Sequence, residues 1–362
     1  MKGGLQLAVI APTLNERGNI EPLLAALERA LDGIEHEVIF VDDGSTDGTA
    51  ERVAEIGRTD RRVRIISRYG RRGLSTAVIE GMMATAAPIV AVIDADMQHD
   101  ESILPALYRA VAEDGADLAV GTRYASGGSV GDWDEGRAKA SALATRLAGL
   151  VLKTPLSDPM SGFFAIRRDL VRELQPRLSA IGFKILLDLA ASSPRSLKVV
   201  EIPYRFRDRA AGTSKMGSAV AVEYLLLLVD KSVGRFLPTR LLLFFAVGGL
   251  GLGVHLVTLR FALAVGALFA EAQAVAVAVA ILFNFALNNA LTYRDRQLRG
   301  WAFVRGLLSF YLVCGIGAIA NVGVGALAFS NHYRWWVAGV AGAVIGSVWN
   351  YAASSFVTWR RR

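Results

Sequence analysis

Glu37-Val38-Ile39-Phe40-Val41 is a short apolar run that stops in Asp42-Asp43-Gly44-Ser45-Thr46-Asp47-Gly48, and a helical pattern starts at Thr49 and continues to about Gly57. An apolar run of this length, closed by turn residues and followed by a helix, reads as a buried strand entering a strand-loop-helix unit. The same order stands upstream, where Gln6 to Pro12 is apolar, Thr13 to Gly18 is polar and residues 19–31 have helical spacing. Downstream, Val63 to Ile66 and Ile89 to Ile93 supply further strands, with a helix expected over 74–86 between them. Alternation of this kind predicts an α/β domain with a mostly parallel sheet. In such sheets ligands bind beyond the carboxyl ends of the strands, so the chemistry is expected in the loops at Thr13, Asp42 and Asp94.

The 362-residue chain changes character after the first two hundred or so residues. Four later segments, beginning at Leu241, Ala272, Gly306 and Trp335, contain no Asp, Glu, Lys or Arg over at least nineteen residues. A helix crossing the roughly 30 Å hydrocarbon layer needs about 20 such residues. We therefore expect transmembrane helices over 241–259, 272–293, 306–330 and 335–357, within a domain at 239–362. Lys231, Arg235 and Arg240 precede the first span, Arg294, Arg296, Arg299 and Arg305 separate the second and third, and Arg360 to Arg362 follow the fourth. Only Arg260 and Arg334 fall on the other side, which predicts that both termini and the domain at 1–215 are cytoplasmic.

The net charge of +7 is accounted for by an anionic leaflet and calls for no nucleic acid, because no motif interleaves aromatic and basic residues. The single cysteine, Cys314, excludes intramolecular disulfides and cysteine metal clusters. Near the start, the run from Leu5 to Pro12 is expected to be a strand and not a signal peptide. Residues 140–152 and 218–237 are largely apolar but carry Arg146, Glu223, Asp230, Lys231 and Arg235. They read as amphipathic helices lying at headgroup level, the second forming an interfacial segment at 216–238, while core helices of the soluble domain are the other reading, equally open for the first stretch. The Asn residues at 284, 288, 289, 321 and 350 are expected to face one another inside the bundle, and the spacings Gly249 to Gly253 and Gly342 to Gly346 to bring helices close.

Asp94-Ala95-Asp96-Met97-Gln98 follows a strand, and if the backbone stays extended its two carboxylates and the amide point the same way. Oxygen ligands of this kind suit a divalent cation, Mg2+ or Mn2+, that also takes diphosphate oxygens. An isolated Asp-x-Asp pair serves as readily in a turn or a helix N-cap. Here two other acidic loops, Pro12 to Glu16 and Asp42 to Asp47, end neighbouring strands, where acidic residues can meet the base and ribose of a nucleotide.

Taken with Ser161-Gly162-Phe163-Phe164-Ala165-Ile166-Arg167 and the segment from Phe206 to Lys215, these motifs resemble the inverting family 2 glycosyltransferases of GT-A (Rossmann-like) fold. Within them they are most similar to the dolichyl-phosphate mannosyltransferases and polyprenyl-phosphate glycosyltransferases, and the four spans resemble a GtrA-like membrane domain. The resemblance implies that Asp94, Asp96 and Gln98 hold the metal. It implies a nucleotide-sugar pocket of Pro12, Leu14, Glu16, Asp43, Asp94, Ala95, Asp96 and Lys184, with Leu14 standing where relatives often have an aromatic residue. The acceptor phosphate would meet Arg123, Arg137, Ser141, Arg209 and Lys215, with Arg123, Arg137 and Arg209 joining Asp94 and Asp96 in catalysis.

The implied reaction is inverting transfer of mannose from GDP-mannose to dolichyl (polyprenyl) phosphate at the lipid bilayer. A phosphomonoester is already anionic near neutral pH, so alignment and charge compensation replace a strong base. UDP-glucose is the alternative donor, and a non-catalytic lipid-sugar flippase the alternative of another class. A processive synthase is excluded, since no Gln-x-x-Arg-Trp motif follows the acidic loops.

Overall fold

The structure is a computed structural model that describes residues 4–69, 73–124, 135–207, 218–234, 238–293, 296–332 and 335–360. The chain folds into two compact units, Met1–Arg235 and Phe236–Arg362.

The first unit is built on seven strands: β1 (Leu7–Thr13), β2 (His36–Asp42), β3 (Val63–Ser67), β4 (Ile89–Val92), β5 (Leu118–Thr122), β6 (Phe164–Arg167) and β7 (Val199–Pro203). They lie in the order β3-β2-β1-β4-β6-β5-β7. All neighbours are parallel except β6, which runs antiparallel to both β4 and β5. The helices are α1 (Ile20–Ala30), α2 (Thr49–Thr59), α3 (Leu74–Met83), α4 (Leu104–Ala112), α5 (Glu135–Ala148), α6 (Arg168–Leu174), α7 (Ile185–Ser192) and α8 (Ser218–Val233).

Strand alternation sends Leu7, Val9 and Ala11 of β1 into a core with Leu23, Leu27, Val53 and Leu107, while Ala8 and Ile10 enter a second core with Val78, Met82, Leu170 and Leu186. Both faces of the central strands are therefore covered, as parallel strands require. Each buried aliphatic side chain contributes about 1.5–3 kcal/mol toward holding the layers together.

Two helix boundaries differ from expectation. The segment expected to be helical over 19–31 opens with a 3-10 turn at Arg17–Asn19, and the α-helix proper starts at Ile20. The helix expected over 74–86 stops at Met83, because the Thr85 hydroxyl donates to Glu37 and accepts from Ala87 N–H, turning the chain into β4.

The second unit contains α9 (Thr239–Ala264), α10 (Phe269–Leu287), a π-helical turn at Asn288–Thr292, α11 (Trp301–Ser330) and α12 (Trp335–Phe356). Among the described residues, Arg240–Ala264, Phe269–Thr292 and Trp301–Ala320 are long and apolar enough to cross a membrane, and α12 adds a 22-residue helix.

Among the described residues the asparagines do not pair with one another as expected. Asn289 accepts from Leu298 N–H and Trp359 Nε1 and donates to Leu298 O, and Asn288 accepts from Thr292. Asn284 packs on Gly251 of α9 and Asn350 on Gly317 of α11, so closely that a methyl group on either glycine would overlap the amide oxygen. The Asn321 side chain lies outside the described part. A Cβ built on Gly249 or Gly253, expected to bring helices close, would meet nothing within 4 Å, and Gly251 between them makes the approach; the surroundings of Gly342 lie outside the described part.

These two seats belong to an internal repeat. Phe283-Asn284-Phe285-Ala286 and Thr292-Tyr293 return sixty-six residues later as Trp349-Asn350-Tyr351-Ala352 and Thr358-Trp359. The contacts repeat as well, in exchanged form: Phe244 meets Tyr351 as Phe310 meets Phe285. Tyr293 stacks on Trp359 at 4.0 Å, while the Tyr293 hydroxyl pairs with Ser355 and the Trp359 indole donates to Asn289. Reciprocal exchange of this kind is what a twofold relation between two helical hairpins produces. Gly317→Ala and Gly251→Ala are each expected to destabilise this unit by about 2 kcal/mol through overpacking, and Gly249→Ala to change little. Thermal unfolding in detergent checks the ranking.

Candidate active site

β1, β2 and β4 are parallel, so the loops that follow them open at one edge of the sheet. β6 runs the other way, which brings its beginning to that edge, together with the ends of β5 and β7. Antiparallel insertion of this one strand thus gathers Thr13, Asp42, Asp94, Arg123, Gly162 and Tyr204 along a single rim.

The loops after β1 and β2 are stitched together. Asn15, in the left-handed region at φ 58°, takes Thr46 N–H on its side chain and donates its own N–H to Ser45 Oγ. Glu16 N–H donates to Thr49 Oγ1 and Arg17 N–H to Asp47. Asp42 closes its own turn by accepting from Gly44 N–H, Ser45 N–H and the Ser45 hydroxyl. Pro12, Leu14 and Glu16 are partly exposed here.

Asp43 is held more firmly, with Oδ1 accepting from buried Arg68 at 2.7 Å and Oδ2 from Gly73 N–H at 2.8 Å. Burial pushes its carboxyl above the ordinary value, against the pull of Gly73 and Arg68. Each carboxylate oxygen retains a second acceptor site, so a base could still be met from this position.

The acidic loop after β4 is not extended, so the condition under which strand alternation would align its side chains is not met. The strand ends at Val92, and the chain turns through Ala95 and Asp96 to Met97, whose φ is 61°. The turn, not strand alternation, orders the three oxygen-bearing side chains. Asp96 Oδ1 accepts from Gln98 N–H, and the Gln98 amide nitrogen donates to Arg207 O, leaving the amide oxygen for a cation. Asp94 stands over Gly162, where a Cβ would lie 3.0 Å from Oδ2, so any larger residue there would press on that carboxylate. Among the described residues no group of three or more His, Cys, Asp or Glu gathers as a metal site. Two carboxylates and an amide nevertheless suit a hard cation that keeps open positions for diphosphate oxygens and water.

Beneath this loop lies an aromatic box. His99 stacks on Phe163 at 5.1 Å and meets Tyr204 and Phe206 edge-on. Burial drives its imidazole down to about 4, with Asp96 pulling the other way, so it is neutral at physiological pH. Neutral Nδ1 then accepts from Asp94 N–H at 3.2 Å.

Arg123, at the end of β5, points its guanidinium over the Phe206 ring at 5.4 Å. Its Nε and Nη2 donate to the two oxygens of Asp158, at 2.7 and 2.9 Å. Asp158 is fully buried, and the fork geometry fixes the plane of the arginine. Lys184 is the N-cap of α7 and reaches toward Met160 O. Burial, and then Arg123, lowers its ammonium below the ordinary lysine value, while Asp94 and Asp158 act to raise it. Lys184 therefore stands within the field of both the acidic loop and Arg123.

Of the remaining candidates, Ser141 on α5 pairs with the Tyr124 hydroxyl at 2.7 Å, close to Arg123 along the chain. The side chain of Arg137 and all of Arg209 and Lys215 lie outside the described residues. Asp158, His99 and Tyr204 were not singled out by sequence reasoning. Asp158 lies just ahead of the Ser161 to Arg167 motif, but its importance rests on a partner 35 residues away.

An α/β edge carrying paired carboxylates, a half-buried lysine and an oriented arginine, in a chain with long apolar helices, is a candidate site for a membrane-bound glycosyltransferase. Residues 8–175 match the family described as Glycosyl transferase family 2, and residues 243–359 match the GtrA/DPMS transmembrane domain. The chain belongs to this family, in its dolichol-phosphate mannosyltransferase branch. It is 34% identical over 357 residues to the dolichol-phosphate mannosyltransferase of Pyrococcus furiosus, covering 98% of this chain and 99% of that protein. The dolichol-phosphate mannosyltransferase of Saccharomyces cerevisiae is 36% identical over 249 residues, 66% of this chain and 92% of the yeast protein. Among solved structures, glucosyl-3-phosphoglycerate synthase from Mycobacterium tuberculosis in complex with uridine-diphosphate is 21% identical, with a TM-score of 0.47, over 63% of this chain and 80% of the other.

Proposed function

We propose that this enzyme transfers mannose from GDP-mannose to a dolichyl or polyprenyl phosphate, with inversion, at the cytoplasmic face of the membrane. The observation that carries the reading is the shared rim on which Asp94 of the acidic loop and Arg123 both act on Lys184, with Asp96 two residues further along the same loop. Likeness to the Pyrococcus protein over nearly the whole chain supports the choice of sugar and acceptor.

Asp94, Asp96 and Gln98 would hold Mg2+ or Mn2+, which supplies Lewis-acid stabilisation of the departing diphosphate. Pro12, Leu14, Glu16, Asp43 and Ala95 line the side where the nucleotide would lie. Lys184 adds positive charge at the diphosphate. Arg123, its plane set by Asp158, would meet the acceptor phosphate, and Arg137, Ser141, Arg209 and Lys215 would complete the anion site. Because the acceptor arrives ionised, these residues have to align it and offset its charge, and no proton need be removed. Inversion follows from a single in-line displacement.

The residues 216–238 and α5 serve as the membrane-facing surface of the transferase unit. In support, α8 turns Leu225, Val229 and Val233 outward, and Leu143 and Leu150 are exposed on and just after α5. The purified protein in vesicles containing polyprenyl phosphate is expected to label the lipid from radiolabelled GDP-mannose with Mg2+ and to stop when EDTA is added. Labelling from UDP-glucose alone, or labelling that survives the chelator, would overturn the donor or the metal assignment respectively.

A further inference from the structure

Lys184 is carried at the end of the loop 178–184, and that loop is held from two sides. Its backbone visits the left-handed region at Ala180, φ 53°, and Gly182, φ 70°. Ser179 N–H and Ala180 N–H donate to the two oxygens of Asp188, at 3.1 and 2.8 Å, one helical turn beyond Lys184 on α7. Asp188 is fully buried, and its counter-ion comes from α8: Lys231 Nζ lies 2.6 Å from Asp188 Oδ1 and is itself 7% exposed. Lys231 also donates to Arg177 O at 2.9 Å and Ser192 Oγ at 2.7 Å. A second tie joins the Ser179 hydroxyl to Asp230 of α8, and a third packs Gly182 against Glu223, whose Cβ lies 3.0 Å from the place a Cβ on Gly182 would take. The apolar part of the same α8 face, Tyr224, Leu227 and Leu228, packs with Ala148 and with Leu187 of α7.

A buried ion pair is weak as a source of net stability, since apolar residues of equal volume hold a core as well. Its directional bonds, however, define one register between two elements. We propose that Lys231 of α8 is a positioning residue for the transfer reaction: through Asp188 it sets the loop 178–184 and so places Lys184 between donor and acceptor. The proposal rests on the role given to Lys184 above. It assigns to α8 a duty beyond contact with lipid, because the helix that faces the membrane also holds the loop of the site lysine.

The test is a double-mutant cycle on the full-length protein in polyprenyl phosphate vesicles, measuring kcat and KM for the donor in the wild type, Lys231→Met, Lys184→Met and the pair. Lys231→Met is expected to lower kcat/KM on the order of tenfold to a hundredfold in the wild-type background and by no more than about twofold when Lys184 is already Met. Lys231→Arg, which keeps the charge, is expected to recover most of the loss. Equal losses in both backgrounds would show that Lys231 acts on stability alone and overturn the proposal. If Lys231→Met does not fold, Ser179→Ala, which removes only the tie to Asp230, enters the same cycle with the same expectation. Lys184→Met with wild-type turnover would instead remove Lys184 from the reaction, a failure of the earlier assignment that is read from the single variant alone.

Discussion

Asp96→Ala is expected to leave a folded protein whose turnover falls by about a thousandfold, the scale on which loss of charge stabilisation at a developing anion is felt. Asp96 is 7% exposed and accepts from Gln98 N–H within its own loop, so its removal disturbs the turn and little of the core. The loss should appear in kcat, and Mg2+ titration should need higher concentrations to reach what activity remains. Asp94→Ala is expected to behave alike, with the added loss of the carboxylate over Gly162. Near-normal transfer by Asp96→Ala, still abolished by EDTA, would remove Asp96 from the mechanism.

Asp158→Ala carries the largest expected effect on stability. Arg123 has an 11% exposed side chain and directs two donors at Asp158, so deleting the carboxylate strands a buried guanidinium. Breaking a buried pair from one side costs about 3–5 kcal/mol. Urea unfolding of Asp158→Ala, read beside Asp158→Asn, measures the cost. The amide keeps the volume and one acceptor, so Asp158→Asn should retain most stability and still lose transfer, because an arginine no longer locked in plane aligns phosphate poorly. Unfolding of Asp158→Ala at the wild-type midpoint would mean that the pair bears no weight in the fold.

The two variants separate the halves of the site that differ in how plainly they stand in the chain. The loops at Asp42 and Asp94 follow apolar runs and end in turn residues, which is a local signal, and their placement on one rim follows from parallel strands. The α/β class and the long apolar helices were legible for the same reason, being consequences of composition and spacing within single elements. The direction of β6 was not legible. Phe164 to Arg167 is short, apolar and compatible with either direction, and only pairing with β4 and β5 decides that the chain enters the rim at Gly162. The turn at Met97 was likewise hidden, since Asp-Ala-Asp-Met-Gln reads equally well as extended backbone.

In the second unit, the glycine spacing at Gly249 and Gly253 pointed to the right helix but to the wrong residue. Which glycine meets a neighbour depends on the crossing of α9 with α10, and that crossing seats Asn284 on Gly251. The repeat that links this seat to Asn350 on Gly317 is present in the linear order of residues, yet its meaning as exchanged contacts appears only between the folded hairpins.

Short-range chemistry therefore settled the element types, the apolar helices and the presence of an acidic loop after β4, because hydrophobic runs and turn residues act within a few positions along the chain. Folding decided the rest: Arg123 meets Asp158, Lys231 meets Asp188 and Asp94 meets Gly162 across 35, 43 and 68 positions. A charge gains a defined role only from the partner that desolvation forces it to find, and that partner is chosen by how the layers pack.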